Sequence, residues 1–472
     1  MTTTASEHTD AGSSFRTFLA GAVRLVAGRQ GSAVIFAAAV LALPLLASSG
    51  TVTSFTWAYV GMLTLTSLLG FGLERLATTR VAERGEAPAA VAVRPLVLVR
   101  IVTLPVVALA LVLLFAFVDV ELALGAFAGT VGWILSVHVA VVAAAGLRAV
   151  GNVRAEPLVT VVVRSAQAGL LIGLAWSGAG VTTLVGMIAV AEAVGAVALC
   201  RALGPGWWSA RRDPQRPSQD LRRAVAFAAM EAAALLYLRA DLLLVGHLLG
   251  ATAGATYGLL YRVVDGGGGA VGTTGLWLFS TAVTGRDGGD ADDGVRARAI
   301  RTLPLVALGV SIVGIAGAGL LGDLVPRFAG ETDTLRLLVV AFPLLTFNGL
   351  ELYVRSARGR NRSVLTIGLL ALAVNVGLCL WLVPRDGLLG AAVALLGAEV
   401  VQTVAVIATS RQAERRVVVP AAAIALLGTL ALAGFVLALE SLIVTAIVVF
   451  AAGCLLAVVG LTREQPKPVE WV

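Results

Sequence analysis

From residue 30 to residue 461 the chain is a succession of apolar runs separated by short breaks that carry Arg, Gly or Pro. A helix needs roughly 20 predominantly apolar residues to cross the ~30 Å hydrocarbon core of a bilayer, and these runs have that length. Hydrophobic residues make up 58% of the sequence and charged residues only 13%, against about 25% charged in an ordinary soluble domain. The mean hydropathy of +0.93 agrees. The sequence therefore predicts an all-α polytopic membrane protein with no room for a soluble domain between runs.

The breaks define about fourteen spans, near 30–48, 54–76, 95–118, 122–147, 156–177, 180–203, 223–249, 254–282, 302–321, 336–354, 363–383, 387–409, 418–438 and 441–461. Basic residues test this count, because cytoplasmic loops carry the Lys/Arg excess. Arg80, Arg84 and Arg94 follow the second span; Arg148 and Arg154 the fourth; Arg211, Arg212, Arg216, Arg222 and Arg223 the sixth. Arg286, Arg296, Arg298 and Arg301 follow the eighth, Arg355, Arg358, Arg360 and Arg362 the tenth, and Arg411, Arg415 and Arg416 the twelfth. The opposite loops SSGTVTS, VDVELA, SGAG and GATAG have none, and only Arg327, Arg336 and Arg385 break the alternation. Both termini are expected in the cytoplasm of a cell-membrane protein.

The expected organisation is a cytoplasmic segment over 1–29, a six-helix lobe over 30–204, a basic linker over 205–222, a second six-helix lobe over 223–412, two further helices over 413–462, and a cytoplasmic tail over 463–472. The first apolar run ends in LPLLASSG without a convincing cleavage site, so it reads as a retained helix. The linker RRDPQRPSQDLRR reads as a topology determinant at the anionic leaflet rather than a nucleic-acid surface, with Trp207 and Trp208 as interfacial anchors.

Other motifs carry little chemistry. Cys200, Cys379 and Cys454 are too scattered for disulfides or a thiolate metal site. GRDGGDADDG, 285–294, lacks the ligand spacing of a calcium loop and reads as a solvated turn. GGGG, 266–269, lies inside a span, where a helix break or close packing explains it better than phosphate binding. His138 and His247 have no neighbouring ligands and read as packing or rim residues. Glu231 and Glu351 receive no role. Neither a cofactor nor a metal is implied.

The informative positions are the charges within spans. A charge at the bilayer centre costs ~2.5 to 3.5 kcal/mol or more, so it usually faces a bundle interior or a water-filled cavity. Spans seven and eight form a hairpin that turns near residue 252. Asp241 and Arg262 are equidistant from that turn, and so are Arg239 and Asp265. Equal distance along antiparallel helices means equal depth, which predicts two cross-paired sets; Arg262 and Asp265, three apart, also share a face. The same reasoning matches Arg164 with Glu192 around the turn at 178, and Asn375 with Glu399 around the turn at 387. These spans hold equivalent places in two sets of six, a weak sign of a repeat. All lie roughly 16 to 21 Å from the outer turns, forming a belt near the midplane. Such pairs could equally clamp helices, for contacts worth only ~0.6 kcal/mol apiece.

Two segments resemble a known family. LYLRADLLLVGHLLGATAGATYGLLYRVVD and GRNRSVLTIGLLALAVNVGLCLWLVPRDGLLGAAVALLGAEVV resemble the start of the second lobe and the eleventh and twelfth helices of polysaccharide flippases in the multidrug/oligosaccharidyl-lipid/polysaccharide exporter superfamily. In the second segment Pro384 is expected to stop the helix, Gly387 to turn the chain, and Gly390, Ala391 and Ala392 to allow close approach. The first hairpin, LPLLASSGTVTSFTW, departs from the Gly-Pro-Glu-like turn common in that family.

The resemblance implies two six-helix lobes around a cavity that opens alternately to either side. It implies a polyprenyl-diphosphate-linked oligosaccharide as substrate, with membrane lipid and polysaccharide-assembly enzymes as partners and no nucleic acid. Arg239, Arg262, Arg164 and Asn375 are the candidate substrate-binding residues, because Arg binds phosphate bidentately. Asp241, Asp265, Glu192 and Glu399 are candidates for charge pairing or ion coupling. A cation-coupled multidrug antiporter of the same superfamily is the alternative; it would favour an acidic, aromatic-lined cavity without competing arginines. A polytopic glycosyltransferase or polymerase would need larger extramembrane loops than this chain has.

Overall fold

The computed structural model describes residues 31–69, 89–150, 155–204, 236–266, 289–328 and 330–437, with a few single residues between these stretches. Among the described residues all regular structure is helical. The first set is α1 (Gly31–Leu46), α2 (Ser49–Leu68), α3 (Ala89–Val102), α4 (Leu104–Phe117), α5 (Leu124–Ala149), α6 (Ala155–Trp176) and α7 (Val181–Ala202). The second begins with α8 over 236–249 and α9 (Ala251–Leu260), whose path continues over 262–266. It proceeds through α10 (Gly289–Leu324), α11 (Thr332–Val340), α12 (Phe342–Ala357), α13 (Asn361–Ala408) and α14 (Gln412–Leu437).

Seven described helices, or eight if the bent pair α3–α4 is one span, are long and apolar enough to cross a membrane. The protein is thus a multi-pass membrane protein. The expected spans one to six and nine to thirteen overlap described helices, and spans seven and eight do so over 236–249 and 251–266; the rest of spans seven and eight, the fourteenth span, the basic linker, Trp207, Trp208, Glu231 and Cys454 lie mostly or wholly outside the described residues.

Proline and glycine punctuate the helices. Pro105, in the first turn of α4, has no N–H to continue the ladder, and α3 and α4 meet at a 48° bend there. Pro343 opens α12 in the same way after α11. Pro384, by contrast, does not stop its helix, contrary to expectation: helical geometry persists to residue 386 and breaks only at Gly387 (φ 59°, ψ −136°). Gly387 alone among these residues tolerates that backbone, so it carries the reversal. The two halves of α13 then pack side by side. A Cβ on Gly390 would lie 2.6 Å from the Leu382 carbonyl oxygen, and one on Gly397 2.8 Å from Leu378 Cδ1. Spans eleven and twelve are the two arms of this hairpin.

Another expectation changes at residues 289–294, which are helical within α10 rather than a solvated turn; residues 285–288 of that motif lie outside the described residues.

Packing follows the rules of lipid-exposed bundles. Small residues let helices approach closely: a Cβ at Gly129 in α5 would touch Val185 and the Gly186 backbone of α7 at 3.1 to 3.5 Å. Large apolar side chains such as Leu109 and Leu113 of α4, or Val306 and Val313 of α10, are instead exposed, as a lipid-facing surface requires.

At the Arg-rich end, Arg355 is the centre of a buried knot. Its Nε lies 3.3 Å from Glu351 Oε1, and its two Nη groups donate to Ser363 Oγ, Thr409 Oγ1, the Val406 carbonyl and Ser410 Oγ at 2.6 to 3.2 Å. Arg358 and Arg360 hold Glu414 of α14 at 3.0 and 2.8 Å. Residues that read as topology signals therefore also staple α12, α13 and α14 together.

Candidate functional site

Gly250, at φ 91°, provides the turn between α8 and α9 and sets the two helices antiparallel. Their charges then meet as depth required, in part. Arg239 Nη2 donates to Asp265 Oδ1 at 2.6 Å, the pairing expected from the sequence. Arg262, however, does not reach Asp241. Its Nη1 lies 2.8 Å from Asp265 Oδ2, and its Nε donates to the Gly258 carbonyl at 2.9 Å.

Asp241 instead accepts from Tyr257 Oη and from the Leu242 backbone N–H, both at 2.8 Å. Equal depth did not suffice because rotation about each helix axis is set by packing. Arg262 points toward α2 of the first lobe, while Asp241 points toward the previous turn of α9.

One carboxylate therefore serves two guanidiniums. Arg239 and Arg262 are 7% and 3% exposed, and their pairing leaves donors over: Arg239 Nε and Nη1, and Arg262 Nη1 and Nη2, are buried without a hydrogen-bond acceptor. The contact of Arg262 Nη1 with Asp265 is ionic rather than a hydrogen bond. Tyr261 Oη is likewise unsatisfied, and its ring lies 5.4 Å from the Arg239 guanidinium. Such a cluster carries excess positive charge and unused N–H groups, which is costly unless an anion takes them.

In the first lobe Arg164 Nη1 lies 3.1 Å from Glu192 Oε2, as expected. Gln167 joins the pair, accepting from Arg164 at 2.6 Å and donating to Glu192 at 2.8 Å and to the Ile188 carbonyl at 3.2 Å. Arg164 and Glu192 line a cavity of about 540 Å³ between the two sets of helices, with Glu156, Thr160 and Val137 on one side and Gly269, Gly272 and Tyr353 on the other; Gln167 braces the pair from behind, fully buried. The cavity extends toward the Arg-rich end.

Its opposite end is roofed by side chains the sequence reading missed. Phe36, Tyr59 and Trp133 come from three separate helices. Tyr59 stacks on Trp133 (centroids 5.4 Å, 6°) and meets Phe36 edge-on at 5.5 Å. Arg164 lies 5.7 Å from the Phe36 ring, and Arg262 crosses from the second lobe to within 4.4 Å of the Tyr59 ring. A ladder of cation–π contacts thus links the two charge clusters.

Asn375 and Glu399 do not touch each other. Tyr237 joins them: its hydroxyl donates to Glu399 Oε1 at 2.5 Å and its carbonyl accepts from Asn375 Nδ2 at 3.1 Å. Asn348 donates to Glu399 Oε2 at 2.6 Å, and Thr403 donates to Asn348 Oδ1 at 3.0 Å. All of this network is buried. Of its added members only Tyr237 stands in a stretch whose charges drew notice.

Beyond the aromatic roof, α2 and α9 pack against each other at the Arg-poor end. Descending α2 and α9 in parallel, Arg327 reaches Thr53 and Thr256 at 3.4 and 3.2 Å. Trp57 Nε1 donates to the Ala251 carbonyl at 2.9 Å, and its indole covers Gly246 and Gly254, where a Cβ would come within 2.5 Å of ring atoms. His247 donates to the Phe117 carbonyl at 2.8 Å and stacks on that ring at 4.4 Å, at the rim as expected. His138 bonds the Thr66 carbonyl at 2.9 Å, a packing role.

The arginines that broke the loop alternation have local partners too: Arg336 pairs with Asp333 at 2.8 Å, and Arg385 donates to the Trp381 carbonyl. Among the described residues no three His, Cys, Asp or Glu side chains gather as a metal site.

No family model and no curated protein matches the sequence. Solved structures do match the fold. A multidrug resistance MATE family transporter of the MOP superfamily, in an inward-facing conformation, aligns at TM-score 0.63 and 17% identity over 80% of this chain and 93% of its own. The lipid II flippase MurJ, in an inward closed conformation, aligns at TM-score 0.66 and 9% identity, covering 94% of this chain and 99% of MurJ. The Vibrio cholerae MATE transporter VcmN, as a mutant, aligns at TM-score 0.61 and 18% identity over 86% and 98%. The chain therefore has the all-α fold of MOP superfamily transporters.

Proposed function

We propose that this protein is a flippase for polyprenyl-diphosphate-linked oligosaccharide, serving cell-surface polysaccharide assembly by alternating access. The observation that carries the reading is the pair of buried arginines, Arg239 and Arg262, which share Asp265 and retain four guanidinium nitrogens without hydrogen-bond acceptors. A diphosphate supplies several anionic acceptors in the bidentate geometry that Arg favours. The sugar would occupy the cavity beside Arg164, Gln167 and Glu192, and the polyprenyl tail would stay in lipid. Asp241 and Glu399, buried on tyrosine hydroxyls, are the candidates for exchanging a proton or cation that resets the cycle; Asn375 would act through Tyr237 rather than by direct contact.

A cation-coupled multidrug antiporter is the second reading. The aromatic roof of Phe36, Tyr59 and Trp133 favours it, because ring faces attract organic cations. Two of those rings already carry arginines, at 5.7 and 4.4 Å, which opposes a cationic substrate and supports an anionic one.

The test is reconstitution in liposomes with a fluorescent polyprenyl-diphosphate sugar. Arg239→Ala and Arg262→Ala are each expected to slow flipping by roughly tenfold or more, the loss of a charge-assisted pair. Unchanged flipping in both, at normal expression, would remove the substrate role. Uptake of an organic cation instead of the lipid would favour the antiporter.

A further inference from the structure

Arg262 divides its guanidinium between Asp265, 2.8 Å from Nη1, and an aromatic ring across the helix interface. Its guanidinium lies 4.4 Å from the ring of Tyr59 in the opposite lobe, while Nη1 and Nη2 make no hydrogen bond. The ring is braced: Trp133 stacks behind it and Phe36 meets its edge. The platform also stands at a junction. On the cavity side, Ala33 and Val137 of the lining lie one turn from Phe36 and Trp133; on the far side begins the seal, with Thr56 and Val60 packed on Gly258, then Trp57 on Gly254.

We infer that Tyr59 is a positioning residue that parks Arg262 and so latches the lobes together at the Arg-poor end until an anionic headgroup in the cavity takes the guanidinium. This deepens the flippase reading and rests on it. The physical basis is a difference between states. A ligand shifts a conformational equilibrium only through contacts that differ between the two forms, and a cation–π contact is weaker than paired charge-assisted hydrogen bonds to phosphate. The headgroup outcompetes the ring, Arg262 leaves Tyr59, and this contact between α2 and the helix following α9 is lost. The remaining seal consists of apolar contacts and single hydrogen bonds, which then part.

The test uses spin labels on cysteines introduced at Ser48 and Thr252, exposed positions on the Arg-poor ends of different lobes, with the native cysteines replaced by alanine. Distance distributions are measured in the full-length protein in liposomes, with and without sugar-free polyprenyl diphosphate. The wild type is expected to give a short distance that lengthens on adding the lipid. Tyr59→Phe, which keeps the ring, should behave the same. Tyr59→Leu should populate the long distance without lipid, a shift of about five- to tenfold in the open-to-closed ratio.

Arg262→Met removes the other partner and should do likewise, so the test survives poor folding of either variant. Short distances in both variants without lipid would overturn the latch. If the variants open but the wild type ignores polyprenyl diphosphate, the latch stands and the diphosphate substrate falls.

Discussion

Trp57 of the first lobe and Gly254 of the second meet where no side chain would fit: a Cβ on Gly254 would fall 2.5 Å from the indole Cζ2. The neighbouring hydrogen bond from Trp57 Nε1 to the Ala251 carbonyl fixes the indole in that notch. On the proposed function, opening at the Arg-poor end breaks this contact and closing reforms it. Gly254→Leu is therefore expected to hold the lobes apart there. Chemical cross-linking between cysteines at Thr53 and Thr256, which Arg327 bridges in the closed form, should fall sharply in this variant and transport should stop. Efficient cross-linking would show that the notch has no gating role.

Asp265 balances two arginines, so replacing it affects both. Asp265→Asn leaves Arg239 and Arg262 buried without an anion. Because the Asp265 side chain is 24% exposed, the loss should be smaller than for a fully buried pair, about 2 kcal/mol. Thermal denaturation in detergent should show a lower Tm, and adding polyprenyl diphosphate should recover more of it than in the wild type. A variant as stable as the wild type would place the charge balance elsewhere.

Arg355 binds one carboxylate, one carbonyl and three hydroxyls across α12, α13 and the residues just after α13. Arg355→Leu removes a buried cation from this knot and should cost about 3 to 5 kcal/mol, read as low membrane yield and a depressed Tm. Arg355→Lys should rescue little, since an ammonium lacks the planar fork that reaches these partners together. Full rescue by lysine would mean that charge alone matters.

Tyr237 donates to Glu399 through its hydroxyl and accepts from Asn375 through its carbonyl. Tyr237→Phe removes only the first link and should cost about 1 to 2 kcal/mol. Asn348→Ala removes the donor to the other Glu399 oxygen and should cost a similar amount. The double variant leaves the Glu399 side chain buried without either donor, so its loss should exceed the sum of the two single losses. Simple additivity, measured by chemical denaturation of the purified protein, would mean that the two donors act independently.

Much of the site was legible from spacing alone. Arg239 with Asp265, and Arg164 with Glu192, could be paired because a helix rises by a fixed amount per residue, so distance from a turn reports depth. The partner of Asp241 could not, because depth leaves the rotation about each helix axis open. Tyr257 captured Asp241, and Asp265 captured Arg262 within its own helix. Tyr59, Phe36 and Trp133 left no trace at all, being ordinary aromatics in three apolar runs. Gln167 and Asn348 were passed over for a related reason: an uncharged amide in a span is cheap enough to need no explanation until its partners are seen.

The sequence by itself determined that this chain is a multi-pass all-α membrane protein, roughly where most of its described helices lie, and which charges stand at equal distances from a turn. Those properties follow from the hydrophobic length of a bilayer and the rise of a helix, and both are local. Only the tertiary structure decided which charges meet, that Gly387 rather than Pro384 makes the hairpin, and that Arg262 rests on a ring in the opposite lobe. Those outcomes depend on how apolar faces pack against one another. In an almost uniformly apolar sequence, the pattern along the chain says little about which face turns inward.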